Sequence, residues 1–177
     1  MSILDKAARA TGRREVSVSM AQTVLETSRQ LGVDDSGMLL KKAGIDPRLL
    51  SQSENRIPFE LHEQLWLAAV AETGDAHFGL KLGINSQPAS HSALGYIAMN
   101  SATIGEALDA AKQYQKLSGE GGELFVHRDE RYTMISYDPV NPELDITHQR
   151  VAGVLASQVN LGRWLAGDSF QPQKVCF

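Results

Sequence analysis

Hydrophobic residues recur at helical spacing along the chain as far as Ser118. The spacing of Ala21, Val24 and Leu25 predicts an amphipathic helix that ends near Gly32, where glycine favours a left-handed cap. Capping residues, prolines and glycines mark the ends of further predicted segments in the same way. These are a short helix after Asp34 or Asp35 that stops at Gly44, a turn after Asp46-Pro47, a helix from Leu61 to Glu72 that ends at Gly74, and a helix after Asp75 that carries Phe78, Leu80 and Leu82 and ends before Gly83.

Two more helices are predicted before the hydrophobic pattern changes. One spans His91 to Met99, after a loop over residues 85–90 that contains Pro88. The other begins at Thr103, because Thr103 and Glu106 have the capping-box spacing in which each side chain satisfies a backbone donor. The first part of the chain is therefore predicted to be mostly helical.

The hydrophobic period then changes from that of a helix to that of a strand. Residues 124–127 alternate between two faces, and residues 132–137 are rich in residue types that favour strands. We therefore predict a hairpin that turns at residues 129–130. A long helix is predicted from Thr147 to Gly167, and residues 175–177 are predicted to form a last strand.

These elements indicate an α+β fold. A mostly helical first half is followed by the order helix, strand, strand, helix, strand, with a small antiparallel sheet. Residues 1–15 are polar and mixed in charge and are predicted to form a flexible or frayed arm, whereas residues 16–177 are predicted to form one domain. Because an apolar strand at the end of a chain is unusual, we expect the natural protein to continue beyond Phe177.

Composition and charge exclude several classes of protein. Hydrophobic residues make up 42% of the 177 residues, and 17 Lys and Arg against 21 Asp and Glu give a net charge of −4. No overall positive field attracts nucleic acid, so we do not expect this chain to bind nucleic acid by itself. The single cysteine, Cys176, excludes an internal disulfide and is predicted to be an inert core residue of a cytoplasmic protein. No apolar run is long enough to span a membrane.

Motifs for catalysis or metal binding are absent from the sequence. The glycine-rich stretch at residues 119–122 contains glutamate and lacks the lysine of a phosphate-binding loop. His62 and Glu63 begin a zinc-protease signature, but Trp66 occupies the position of the second histidine. We therefore predict a protein that is not an enzyme, has no catalytic residues, and binds neither a metal nor another cofactor.

Several aromatic residues are candidates for a ligand site. Trp66, Tyr96 and Tyr114 each combine a large apolar ring with a polar atom that needs a hydrogen-bond partner. Residues of this kind line cavities that bind small molecules, and their polar atoms orient the ligand. The alternative for each is an ordinary place in the core.

Two polar residues in the predicted helix from Thr147 to Gly167 are further candidates. Gln158 lies within the apolar stripe of this helix and Arg150 lies near its start, so each needs a partner if it is buried. A carboxylate or hydroxyl of a ligand would serve as that partner. The alternative for Arg150 is a surface ion pair with Asp145 or Glu143. The alternative for Gln158 is a position at the edge of the sheet.

The order of the local motifs is characteristic as a set. Along the chain these motifs are Gly44-Ile45-Asp46-Pro47, Arg56-Ile57-Pro58, Thr73-Gly74-Asp75, Phe78-Gly79-Leu80, Leu82-Gly83, Leu94-Gly95-Tyr96, the stretch from Ser101 to Leu108, and Tyr114. Together they resemble the N-terminal, arabinose-binding-domain-like region of AraC/XylS-type transcription regulators, in the branch that includes ornithine-utilisation regulators. The similarity covers residues 16–177.

This resemblance implies the sensor domain of a bacterial transcription regulator. Such a domain binds a small-molecule effector, for which amino acids, sugars and fatty acids are candidates, and it forms a homodimer. A C-terminal DNA-binding domain with two helix-turn-helix units, absent from this chain, would contact the DNA. The effector would act by binding more tightly to one arrangement of the domains than to the other.

Two other functions remain open from the sequence. One is a dimerisation module without a physiological ligand, which an exposed apolar helix face and the lack of an internal cavity would support. The other is a small enzyme or a haem-type gas sensor. That function requires a clustered polar site or an axial histidine such as His91.

Overall fold

Helices make up most of the molecule. The computed structural model describes residues 13–167 and 170–176, without the side chains of residues 89 and 92. These residues form seven α-helices, together with short 3-10 turns. The helices are α1 (Val18–Gln30), α2 (Ser36–Ala43), α3 (Phe59–Thr73), α4 (Phe78–Asn85), α5 (Ser92–Met99), α6 (Ile104–Tyr114) and α7 (Ile146–Ala166).

The strands form two small antiparallel pairs. They are β1 (Glu15–Ser17), β2 (Arg56–Pro58), β3 (Gly122–Arg128) and β4 (Thr133–Pro139). β1 pairs with β2, and β3 pairs with β4 in the predicted hairpin. The predicted α+β class is confirmed, with two sheets of two strands each among the described residues.

β1 connects the first helices to the segment that leads into the hairpin. Val16 lies opposite Ile57 of β2 and also bridges to Gly119, just before β3. The Ser17 N–H donates a hydrogen bond to the Ser118 carbonyl at 2.8 Å. The sequence did not predict β1 and β2, because three residues display no period and their partners lie far away in the chain.

Most helix ends lie where capping residues were predicted. The Asp35 carboxylate accepts a hydrogen bond from the backbone at the start of α2, and Gly44 ends this helix with φ of 71°. Gly74 ends α3 in the same left-handed conformation, with φ of 61°. Thr103 caps α6 as predicted, since its Oγ1 accepts a bond from the Glu106 N–H at 3.1 Å, while the Glu106 carboxylate accepts from the Ala102 N–H at 3.0 Å and not from Thr103.

The hydrophobic core lies among α1, α2, α3, α4 and the β1–β2 pair. Its largest fully buried side chains include Phe78, Leu39, Ile57 and Leu65. Full burial of one such side chain contributes about 1.5–3 kcal/mol to folding. The small sheet is therefore part of the core, although it contains only three residues in each strand.

Glycine residues bring α4 and α7 into close contact. A Cβ atom on Gly83 would lie 2.6 Å from the Cβ atom of Ala156 and would overlap the Gly153 carbonyl oxygen. Gly79, one turn earlier, meets the backbone of α7 in the same way. Because α4 continues to Asn85, the prediction that this helix ends before Gly83 is wrong. This glycine permits close helix packing and does not act as a cap.

Side chains of α7 also satisfy backbone groups near both ends of α4. The Gln149 Oε1 accepts a hydrogen bond from the Gly79 N–H at 2.8 Å, and its Nε2 donates to the Ala76 carbonyl at 2.5 Å. At the other end, the Asn160 Nδ2 donates to the Ser86 carbonyl at 2.5 Å. These bonds hold both ends of α4 against α7.

The two ends of the chain differ from the prediction. Val175 and Cys176 are exposed and lie outside any strand, so the predicted last strand and the core position of Cys176 are wrong. An apolar tripeptide forms a strand only where a sheet edge offers hydrogen bonds, and this described segment pairs with none. Phe177 and residues 1–12 of the predicted arm lie outside the described residues, and Glu15 belongs to β1.

Candidate functional site

A cavity lies at the centre of the molecule, between the helices and the β3–β4 hairpin. Side chains from α1, α3, α4, α5, α6, α7 and both strands of the hairpin form its wall. Its volume is about 150 Å³, the size of an engineered cavity that binds benzene. Most of the wall is apolar, as in sites for small molecules. The larger polar side chains of the wall are His62, Trp66, His91, Gln115, Tyr137, Arg150 and Gln158.

A row of aromatic rings on α3 forms one side of this cavity. Phe59, His62 and Trp66 lie three or four residues apart, so they share one face of the helix. The ring centroids of Phe59 and His62 are 6.5 Å apart, as are those of His62 and Trp66. Phe78 of α4 meets the Trp66 ring edge-on at 5.4 Å. Edge contacts of this kind hold the rings, and therefore their polar atoms, in fixed positions.

The polar atoms of this row have no hydrogen-bond partner. Both ring nitrogens of His62 and the indole Nε1 of Trp66 are buried and unpaired among the described residues. Leaving such a group unsatisfied costs about 1–3 kcal/mol. Both side chains belong to the cavity wall, so these unpaired atoms lie beside the space that a small molecule would occupy.

Burial keeps the His62 ring uncharged. Desolvation, together with the positive charge of Arg150, lowers the pKa of His62 to about 4. A contact with the Met20 backbone raises this pKa by a smaller amount. The Met20 contact does not satisfy the ring, since neither nitrogen reaches hydrogen-bond geometry. At neutral pH the ring therefore offers one donor and one acceptor. Burial also lowers the pKa of His91 and raises that of Tyr137 to about 12.

The stability of the protein is expected to fall between pH 7 and pH 5. The pKa of His62 is about 4 in the folded state and about 6.5 in an unfolded chain. The unfolded state therefore binds more protons between these values, so stability is complete above about pH 6.5 and is lost as the pH falls toward 4. Linkage gives a loss of about 2 kcal/mol between pH 7 and pH 5 from this residue. Urea denaturation at the two pH values measures the loss.

His62→Leu is the control for this pH dependence. Leucine has nearly the volume of histidine and does not titrate, so the variant keeps the contributions of all other groups. Its unfolding free energy should change less between pH 7 and pH 5 than that of the wild type. An equal change in the two proteins would contradict the depressed pKa of His62.

Arg150 reaches the cavity wall from α7 but already has a carboxylate partner. Its Nη1 donates a hydrogen bond to the Glu63 Oε1 at 2.5 Å, and its Nη2 donates to the Val140 carbonyl at 2.6 Å. Both members of the ion pair are buried. The guanidinium also lies over the Phe59 ring, 5.0 Å from its centroid. This pair connects α7 to α3 beside the cavity.

The surface alternative for Arg150 is wrong. Its partner is Glu63 of α3, whereas Asp145 and Glu143 make no ion pair with it. Glu63 also accepts a hydrogen bond from the Asn141 Nδ2 at 3.0 Å. Asn141 has φ of 53°, a left-handed conformation that asparagine tolerates better than most residues. The loop between β4 and α7 is thereby tied to the same carboxylate.

Three of the five predicted ligand residues lie on the cavity. Trp66, Arg150 and Gln158 line it. Tyr96 and Tyr114 are 59% and 41% exposed and do not belong to its wall. A ligand-binding role for the five residues stays a prediction, and their positions favour the first three.

His62 was missed as a candidate, and Tyr137 was not among the five selected ligand residues. His62 was set aside with the incomplete zinc signature, although its spacing from Phe59 and Trp66 places all three rings on one buried helix face. Tyr137 reaches the cavity because it pairs with Leu124 across the hairpin, a register that its own sequence neighbourhood does not reveal.

Metal clusters and membrane-spanning helices do not occur in the described part of the chain. Within residues 13–167 and 170–176, no group of three or more His, Cys, Asp and Glu side chains is arranged to hold a metal ion. No helix of these residues is long and apolar enough to cross a membrane.

The sequence is similar to known regulators over most of its length. Residues 34–177 match the family described as the arabinose-binding domain of AraC transcription regulators, N-terminal. The chain is also 26% identical over 162 residues to the ornithine utilization regulator of Pseudomonas aeruginosa. That alignment covers 92% of this chain and 48% of the relative, so the chain spans about half the length of the relative. The resemblance carried by the local motifs is confirmed, and the chain belongs to the family of N-terminal arabinose-binding domains of AraC transcription regulators.

Proposed function

We propose that this chain is the effector-binding domain of a transcription regulator and that the central cavity is its effector site. The observation that carries the proposal is the pairing of a partly open, mainly apolar cavity with two buried residues, His62 and Trp66, whose polar atoms lack partners. Burying a polar atom without a partner costs free energy of folding, so such atoms on a cavity wall support a role in ligand binding.

The cavity favours a sensor over a dimerisation module without a ligand. A module that only dimerises has no need for an internal space of this size, which weakens packing around it. Dimerisation and ligand binding are compatible, and we include a homodimer in the proposal. The likeness to a regulator about twice as long supports a DNA-binding domain outside this chain.

The proposed mechanism is a shift between two arrangements of the full regulator. The effector contacts α3 and α7 together, so it binds more tightly to the arrangement that holds these helices at their liganded spacing. By stabilising one of the two states, the effector changes the geometry of the dimer or releases the DNA-binding domain.

The test is thermal stabilisation of the purified chain by a panel of amino acids, including ornithine, with sugars, fatty acids and nucleotides. A ligand at one hundred times its dissociation constant stabilises the folded state by about 2.7 kcal/mol. Ala98→Leu, which fills the cavity from α5, should abolish this effect. Ala93→Leu, at an exposed position on the same helix, should leave it unchanged.

Two outcomes decide the proposal. Stabilisation that is lost in Ala98→Leu, and in the second filled-cavity variant Ala111→Leu, supports an effector site in the cavity. No stabilisation by any compound, together with a concentration-dependent dimer in sedimentation, would favour the dimerisation module instead.

A further inference from the structure

We infer that the effector is an uncharged, partly apolar small molecule with a hydrogen-bond acceptor, such as an amide, ketone or ester, that binds to His62 and Trp66. This inference rests on the proposed function of the cavity. It narrows the ligand to one chemical class and excludes zwitterionic amino acids, diamines and free carboxylates.

The unpaired atoms define the polar part of the ligand. The Trp66 Nε1 is a donor only, so its partner must be an acceptor. A neutral His62 ring adds one donor and one acceptor at the same wall. A carbonyl group satisfies the indole N–H, and an amide N–H is able to satisfy the acceptor nitrogen of His62. The apolar remainder of the wall then contacts the hydrocarbon part of the ligand.

Arg150 already has a carboxylate partner inside the protein. Glu63 lies 2.5 Å from the Arg150 Nη1 and forms a buried ion pair with the guanidinium. The Val140 carbonyl occupies the Nη2 at 2.6 Å. A second anion beside this pair would be repelled by Glu63, and burying an unpaired carboxylate is very costly.

The wall also offers no carboxylate to a cationic ligand in the described part of the chain. No aspartate or glutamate is found among the residues that line the cavity in the described part of the chain. The neutral oxygens and aromatic rings of the wall would have to replace the water around an ammonium group without a negative charge, which is costly. A zwitterion meets both difficulties at once, so we exclude free amino acids.

Four probes of similar shape test this class directly. Benzamide is uncharged and carries an acceptor, while benzoate and benzamidine have nearly the same shape with a negative and a positive charge. Toluene fills the apolar space without any acceptor. We expect benzamide to bind about tenfold more tightly than toluene, the gain from one satisfied buried donor. Benzoate and benzamidine should bind at least tenfold more weakly than benzamide.

Variants of the wall separate the hydrogen bond from simple filling of space. Trp66→Phe should reduce benzamide affinity to about that of toluene, and His62→Leu should weaken benzamide binding by a smaller factor. Both variants should leave toluene affinity nearly unchanged. Trp164→Phe, at a position that is 56% exposed, is the matched control and should change neither affinity.

The outcomes distinguish this inference from the proposed function. If benzoate or benzamidine binds as tightly as benzamide and Trp66→Phe weakens that binding, the inferred ligand class is overturned. The cavity then remains the proposed effector site. If none of the four probes binds but a metabolite stabilises the wild type and not Ala98→Leu, only the inferred chemical class of the effector is overturned. If neither probes nor metabolites bind, both proposals fail.

Discussion

Gly83→Ala is expected to lower the free energy of unfolding by about 3 kcal/mol, the upper end of the usual cost of overpacking. The added Cβ atom would overlap the Gly153 carbonyl oxygen and approach the Ser157 nitrogen to 2.9 Å. Backbone atoms of a long helix cannot move aside as a flexible side chain can. α4 must therefore separate from α7, which weakens the contacts along both helices.

Gly105→Ala is the matched control for this prediction. Gly105 is also helical, but a Cβ atom there would meet the Thr103 Oγ1 at 3.6 Å and the Arg128 Nη2 at 4.0 Å, both ordinary contacts. Alanine has the higher helix propensity, so this variant should be as stable as the wild type or more stable by up to about 1 kcal/mol. Equal urea denaturation midpoints for Gly83→Ala and Gly105→Ala would show that α4 and α7 are not packed as closely as described.

Arg150→Met is expected to destabilise the protein by about 3–5 kcal/mol, because it leaves the Glu63 carboxylate buried without a counter-charge. The loss of the bond to the Val140 carbonyl adds an unsatisfied acceptor. Arg48→Met removes the exposed ion pair with Asp46 and should change the unfolding free energy little, since water screens that pair.

A double-mutant cycle separates the ion pair from the packing of the arginine side chain. Glu63→Gln removes the charge and keeps an acceptor for the Asn141 side chain. If the uncompensated charge is the main cost, the combination of Arg150→Met with Glu63→Gln should be more stable than Arg150→Met alone. A double variant that is less stable by the sum of the two single losses would refute the buried pair.

Both predictions concern α7, which also forms part of the cavity wall. Gly153 belongs to the contact with α4 and to the lining, and Arg150 belongs to the ion pair and to the lining. Changes at these positions alter stability and the cavity together. For this reason the binding tests use Ala98, Trp66 and His62, which lie on other helices.

The sequence predicted the helices well because local chemistry determines where they end. The caps at Asp35 and Thr103 and the left-handed glycines at Gly44 and Gly74 act within one turn of their own helix. Gly83 shows the limit of this reasoning. A glycine that stops a helix and a glycine that admits a neighbouring helix look the same until the neighbour is known.

The candidate site was only partly predictable, for a related reason. Gln158 was selected because it lies in an apolar stripe, Arg150 because a buried guanidinium needs a partner, and Trp66 because its ring carries a polar atom. These three do line the cavity. Their partners depend on tertiary packing, so Glu63 could not be identified as the partner of Arg150 from sequence spacing. Tyr96 was selected by residue type alone, and residue type does not distinguish a buried helix face from an exposed one.

The most direct test of the effector site is the nuclear magnetic resonance signal of the indole N–H groups. The chain has two tryptophans, Trp66 in the cavity wall without a hydrogen bond and Trp164 at an exposed position, and Trp164→Phe assigns the two signals. When the compound that stabilises the protein most is added, the Trp66 signal should move as its N–H gains an acceptor, and the Trp164 signal should stay in place. A compound that binds and stabilises the protein without moving the Trp66 signal would contradict the central cavity as the effector site.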